Sequence, residues 1–248
     1  MLTAIGIIPA RYGSSRLPGK VLAPIGGVPL ICMVCDSARR AKRLDDVIVA
    51  TDDRRVIEAV TARGGRAVLT SPAHQSGSDR IAEAAAGIDC EIVINIQGDE
   101  PLIRGEVIDA AVEALLADPS LNAVTLATPF AAPGDADDPN VVKVVRNLRG
   151  DALYFSRSRI PYAREGECGR GHALKHIGLY GYRKEFLLRF TGWAPTPLEK
   201  TEKLEQLRIL EHGERIRVIE TPWDSVSVDT PGDLERVREI VAQKHYRK

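Results

Sequence analysis

Ile5-Gly6-Ile7-Ile8-Pro9-Ala10-Arg11-Tyr12-Gly13-Ser14-Ser15-Arg16-Leu17-Pro18-Gly19-Lys20 decides the fold. An apolar, β-branched run breaks there into a glycine-bearing loop with two arginines and a lysine. Small residues let backbone N–H groups approach an anion, while guanidinium forks and a lysine point charge supply the compensating positive field. In open α/β sheets ligands bind beyond the carboxyl ends of strands, and the loop sits in that place. The pattern is neither Gly-x-Gly-x-x-Gly nor Gly-x-x-x-x-Gly-Lys-Ser/Thr, which disfavours a dinucleotide-binding or Walker-type reading. The segment suggests a bound nucleoside triphosphate, and a solvated basic turn is the plain alternative.

Working outward, short β-branched runs alternate with helical patterns. Strands are expected at Ala4–Pro9, Val47–Ala50, Ala67–Leu69 and Ile92–Ile96, and helices at Pro29–Arg43, Arg54–Arg63, Asp79–Gly87 and Gly105–Ala117. This rhythm predicts an α/β fold with a doubly wound, mostly parallel sheet. Right-handed crossovers would gather the basic loop, Thr51-Asp52, Thr70-Ser71 and Gln97-Gly98-Asp99 on one rim. After Ala117 the rhythm changes: strands are expected at Ala123–Pro129, Val141–Arg146, Ala152–Ser156, Ile177–Tyr182 and Ile216–Thr221, with one helix over Leu198–His212. Thr230-Pro231-Gly232-Asp233 reads as the capped start of a final helix, buried along Leu234, Val237, Ile240 and Val241.

Lys+Arg and Asp+Glu number 34 each, so the net charge of +0 offers no global field for nucleic acid or an anionic membrane. Any anion site must be local. No apolar run approaches the roughly 18 residues of a membrane span, and the N-terminus enters a strand without a leader pattern, from which a cytoplasmic protein is expected. Four cysteines do not resemble a disulfide framework in a chain of 248 residues. Cys32-x-x-Cys35, set among Leu30, Ile31, Met33 and Val34, reads as two buried thiols of the first helix, and no second Cys/His pair completes a zinc set.

Two acids stand out. Asp99 follows the buried strand Ile92–Ile96 after a glycine, and Asp229 ends Val226-Ser227-Val228 just before the capped helix. Each could be a turn or capping acid; together with a phosphate loop they fit a Mg²⁺ site, because that hard ion prefers carboxylate and phosphate oxygens to an all-protein cage.

Several segments then combine in order over nearly the whole chain: Pro9–Lys20, His74-Gln75-Ser76-Gly77-Ser78-Asp79-Arg80, Asn95-Ile96-Gln97-Gly98-Asp99-Glu100-Pro101, Asn140-Val141-Val142-Lys143-Val144-Val145, Ala152–Arg157, Lys175–Arg183 and Leu204–Arg208. In this combination the chain resembles the 3-deoxy-manno-octulosonate (Kdo) cytidylyltransferases, the CMP-Kdo synthetases. The resemblance implies a fold of the nucleotide-diphospho-sugar transferase type with a smaller acceptor-binding and dimerisation lobe. It implies a single domain over 1–248, with 1–129 mainly nucleotide-binding, 130–222 mainly acceptor-binding and dimerisation, and 223–248 returning a metal ligand and the last helix. The implied reaction is CTP plus Kdo giving CMP-Kdo and diphosphate for lipopolysaccharide precursors, in a homodimer.

On that resemblance Lys20, Arg11, Asp99 and Asp229 carry catalysis, and Asp99 and Asp229 hold Mg²⁺. Ala10, Arg11, Gly13, Ser14, Arg16 and Lys20, with Gln75, Ser76, Ser78 and Arg80, would bind the nucleotide. Gln97, Arg157, His176, Tyr180, Glu205 and Gln206 would take the sugar acid. Ser227 and Gly232 stand at variable points of the returning segment, and the loop Gly166–Gly171 is a second place where acceptor choice could differ. A related acid such as 8-amino-Kdo or a phosphonate is therefore an alternative acceptor, and a non-catalytic nucleotide-binding module is the alternative from another class.

Overall fold

The computed structural model describes residues 2–13, 17–164, 173–224 and 226–245. Strand β1 (Leu2–Ala10) is buried from Ala4 to Ile8 without interruption, as a central strand covered on both faces must be. A small hairpin, β2 (Pro24–Ile25) and β3 (Val28–Pro29), leads into α1 (Leu30–Ala38), β4 (Asp46–Thr51), α2 (Arg54–Thr61), β5 (Arg66–Leu69), α3 (Gly77–Ala86), β6 (Cys90–Asn95), α4 (Gly105–Ala117) and β7 (Ala123–Thr128). Then follow β8 (Lys143–Arg146), β9 (Ala152–Ser156), β10 (Leu174–Arg183), α5 (Lys184–Thr191), α6 (Pro197–Glu202), α7 (Gln206–Glu211), β11 (Ile216–Glu220) and α8 (Pro231–His245).

The main sheet runs β11-β7-β10-β6-β1-β4-β5, with β8 beside β10 and β9 beside β8. β1 pairs in parallel with β4 and β6, as do β4 with β5 and β7 with β11. β10 runs antiparallel to both β6 and β7 and so joins two parallel halves. The sheet is mostly parallel, as the alternation predicts. Ile92 and Ile94 pack on the face that holds α1 and α4, whereas Val93 packs with α3 and α5, so helices bury both faces.

Local differences have local causes. The helix expected over Leu198–His212 is two short helices, α6 and α7, broken where Lys203 turns left-handed at φ 55°. The break resets the helical face, so that Leu204 and Leu207 are buried while Leu198 stays exposed. α5 was not expected because Tyr182-Arg183-Lys184 passes from strand to helix without a turn residue; Phe186, Leu187 and Phe190 form its buried stripe. α1 stops at Ala38, short of Arg43. Cys32, Cys35 and Cys90 are free and buried, and burial pushes the Cys35 thiol up to about 12. Cys168 and the loop 166–171 lie outside the described residues. Among these, no helix is long and apolar enough to cross a membrane.

Candidate active site

β1 delivers the basic loop to the rim, and the loop must then double back. Gly19 makes that turn at φ 68°, where a Cβ would stand 3.1 Å from the Tyr12 hydroxyl. Its N–H donates to Tyr12 O, and Lys20 opens the single helical turn that follows. The Tyr12 ring lies under the Arg55 guanidinium at 3.5 Å, which braces the loop against α2. Across the cleft, Arg11 Nη2 donates to Gln75 O at 2.9 Å.

Lys20 is the centre of the site. Its Nζ donates to Asp99 Oδ2 at 2.9 Å, to Asp229 Oδ1 at 3.0 Å and to Val228 O at 3.1 Å. Burial alone would lower the ammonium's pKa, and the two carboxylates more than reverse that, leaving it above its ordinary value. Asp99 is placed by β6 and the residues that follow it. Gly98 approaches β1 so closely that a Cβ would meet Pro9 O at 2.7 Å. Asp229 comes from the far end of the chain because Val228 N donates to Asp99 O at 2.9 Å. The α8 cap pins it: Asp233 Oδ2 accepts from Asp229 N and Thr230 N, and Thr230 Oγ1 accepts from Asp233 N.

These groups border an open cleft of about 370 Å³, lined in part by Arg11, Gly13, Gly77, Arg80 and Gln97. Arg80 reaches it from α3 with its guanidinium fully buried, donating to Asp52 Oδ2 at 2.9 Å and Thr70 Oγ1 at 2.6 Å, while its Nε has no partner among the described residues. Ser76 caps α3 in a reciprocal box with Asp79.

A second set of polar groups gathers on β10 and before α7. Gln97 Nε2 donates to Gly178 O at 2.9 Å, which ties the turn after β6 to β10. His176 is half-buried, with Nε2 3.0 Å from Thr125 Oγ1, and removal from water depresses its pKa to about 3. Its ring lies 5.4 Å from Tyr180, which stacks on Tyr182 at 5.7 Å. Ser78 donates to Glu205 Oε2 at 2.5 Å, and burial raises the Glu205 carboxyl. Gln206 Nε2 has no partner among the described residues.

A family model described as cytidylyltransferase matches residues 5–216. A 3-deoxy-manno-octulosonate cytidylyltransferase of Geobacter metallireducens is 52% identical over 246 residues, covering 96% of this chain and 97% of the relative. The chain belongs to the 3-deoxy-manno-octulosonate cytidylyltransferase family. The relative from Geotalea daltonii is 51% identical, over 94% of this chain and 96% of its own. A solved structure of CMP:2-keto-3-deoxy-manno-octonic acid synthetase complexed with CTP superposes with a TM-score of 0.93 at 44% identity, covering 98% of this chain and 99% of the other. A 4-diphosphocytidyl-2C-methyl-D-erythritol synthase from Anaerococcus prevotii, at 15% identity and a TM-score of 0.66 over 97% of this chain and 98% of its own, shares the fold.

Within this cytidylyltransferase chain the cleft brings together Ala10, Arg11, Gly13, Lys20, Asp99 and Asp229. Ser14 and Arg16 lie outside the described residues. Gln75 meets the cleft through its backbone carbonyl, and the Ser78 hydroxyl turns to Glu205. Arg157 stands at the end of β9, held by the carbonyls of Glu202 and Pro139. Sequence reasoning missed the Asp52–Arg80 pair and Lys143, which is buried beneath Arg157's carbonyl. Asp52 had a signal, because it directly follows the carboxyl end of β4, on the same rim as Asp99.

Two carboxylates converging on one cation make a set of hard oxygens, and among the described residues no third His, Cys, Asp or Glu joins them. That donor set suits a hard divalent ion that keeps water and phosphate oxygens as its other ligands.

Proposed function

We propose that this chain transfers the cytidylyl group of CTP to 3-deoxy-D-manno-octulosonate, giving CMP-Kdo and diphosphate for lipopolysaccharide precursors. The observation that carries the reading is the convergence of Lys20, Asp99 and Asp229 at the mouth of a cleft that also holds Arg11. The anomeric hydroxyl attacks the α-phosphorus, the bond to the bridging oxygen breaks as diphosphate leaves, and the hydroxyl proton ends on the departing diphosphate. Positioning and charge stabilisation carry most of such a displacement.

Arg11 and Lys20 take the phosphate oxygens, and Gly98 lets the turn after β6 lie close against β1. Gly13, Gln75, Ser76 and Arg80 enclose the nucleotide; Ser14 and Arg16 belong to the same reading. Gln97, Arg157, His176, Tyr180, Glu205 and Gln206 hold the acid. With a pKa of about 3, His176 is too weak a base to take the hydroxyl proton at neutral pH and acts by hydrogen bonding. Asp99 and Asp229 would hold Mg²⁺, which neutralises phosphate charge when bound.

The same reading takes 1–129 as mainly the nucleotide part, 130–222 as the acceptor and dimerisation part, and 223–248 as the return of Asp229. It gives a cytoplasmic homodimer. The open edge of β9 with the exposed Leu148, Leu153 and Tyr162 supports a second copy as the partner, and the free buried thiols suit a reducing compartment.

The test is diphosphate release from CTP and Mg²⁺ with a panel of acids. Turnover with Kdo well above that with 8-amino-Kdo, other sugar acids and phosphonates is the expected result. Release only with another acid would move the acceptor assignment, and CTP binding without turnover on any acid would overturn the enzyme reading.

A further inference from the structure

Lys143 is fully buried, yet its ammonium has no carboxylate partner among the described residues. It donates to Asp138 O at 2.9 Å and to Arg157 O. Burial lowers its pKa, with Asp138, Asp137 and Glu202 opposing from a distance and Arg157 adding to the fall. A cation removed from water and held by carbonyl dipoles alone is costly for merely tying a loop. A neutral donor would serve that purpose.

The strand order explains what the charge is next to. Lys143 lies opposite Ser156 on β9 and Lys175 on β10, and the carbonyl of the preceding Val142 accepts from His176 N at 2.8 Å. The residues just beyond these pairs, Arg157 and His176, therefore flank one end of β8. Arg157 is anchored on three sides: its N donates to Glu202 Oε2 at 2.9 Å, its Nε to Glu202 O at 2.8 Å and its Nη1 to Pro139 O at 3.0 Å. Nη2 has no partner among the described residues, and no carboxylate pairs with the guanidinium there. Two cations thus lie side by side next to the sugar-acid residues, with the Glu202 carboxylate on Arg157 N and Asp137 and Asp138 further off, and the Arg157 Nη2 is left for a ligand.

We propose that Lys143 is a positioning residue for the acceptor carboxylate, acting through Arg157, whose carbonyl it holds and whose positive field it reinforces. This rests on the reading of Arg157 as an acceptor residue. A free carboxylate is the chemistry such a corner recognises, and an acceptor without one gains nothing from it.

The experiment is steady-state kinetics of the full chain with Lys143→Met, Arg157→Ala and the double variant. Lys143→Met should raise the KM for Kdo roughly tenfold, with kcat and the KM for CTP changed less than about twofold. On the Arg157→Ala background the same change should add nothing, since both act on one contact. Fully additive losses, or an equal rise in the KM for CTP, would overturn the inference. If Lys143→Met does not fold, Lys143→Gln keeps donors for the carbonyls without the charge and should show the same selective rise; an unchanged KM for Kdo in it overturns the role. An Arg157→Ala variant with an unchanged KM for Kdo would show instead that the acceptor reading itself has failed.

Discussion

Lys20 Nζ stands 2.9 Å from Asp99 Oδ2, an ion pair between a loop after the first strand and a turn 79 residues further on. The same ammonium bonds Asp229, so it occupies the point on which both proposed metal ligands converge. If Asp99 and Asp229 hold the ion as proposed, Lys20 and a divalent ion would compete for one pair of carboxylates. Lys20→Met should bind Mg²⁺ alone more tightly than the parent chain in calorimetry, while kcat falls on the order of 10²–10³ for loss of charge stabilisation. Weaker metal binding with undiminished kcat would place Lys20 outside the phosphate site.

Asp99→Asn and Asp229→Asn should each keep the melting temperature nearly unchanged, because both side chains are partly exposed at the rim. Turnover should fall at least about a hundredfold in each, as expected for groups that organise a phosphoryl-transfer site. Circular dichroism separates that outcome from unfolding.

Gly98→Ala places a methyl 2.7 Å from Pro9 O, a backbone atom that cannot swing aside. β1 and the turn after β6 must part, at a cost of about 1–3 kcal/mol. Thermal melting should show the loss of stability, and the KM for CTP should rise because the cleft's two walls separate.

His176 sets a pH dependence whose sign is fixed by burial. The native imidazole titrates at about 3, against about 6.5 in the unfolded chain. Between those values the unfolded chain holds a proton that the native one lacks. This contribution is fully present above about pH 6.5 and is lost as pH falls, at about 1.4 kcal/mol per unit. From pH 7 to pH 5 the parent chain should lose about 2 kcal/mol more than His176→Gln in urea unfolding. Equal losses would mean that His176 is not held neutral.

Features with short-range causes were legible in the sequence. The apolar run of β1, the Thr230-Pro231-Gly232-Asp233 cap and the alternation of strands with helices each depend on neighbouring residues. The pairing of Asp99 with Asp229 was inferred from two acids that each close an apolar run, and although Val226–Val228 forms no strand, the geometry is set by Val228 N reaching Asp99 O across about half the chain. The antiparallel course of β10, the partial burial of His176 and the Ser78–Glu205 bond are likewise tertiary, and no local pattern encodes them. The break between α6 and α7 was hidden because lysine is an ordinary helix residue; Lys203 turns left-handed there and the following Leu204 is buried.

Lys203→Gly removes the penalty of a side chain at φ 55° and should stabilise the chain by roughly 0.5–1 kcal/mol in chemical denaturation. Destabilisation would mean that the Lys203 side chain contributes more than its backbone costs.

In the proposed direct displacement the sugar acid's anomeric oxygen becomes the phosphoester bridge. The most direct measurement is mass spectrometry of the products from CTP, Mg²⁺ and Kdo carrying ¹⁸O at the anomeric position. CMP-Kdo that retains the label in its bridge, with unlabelled diphosphate, is the predicted result; no CMP-Kdo, or CMP-Kdo without the label, would contradict it.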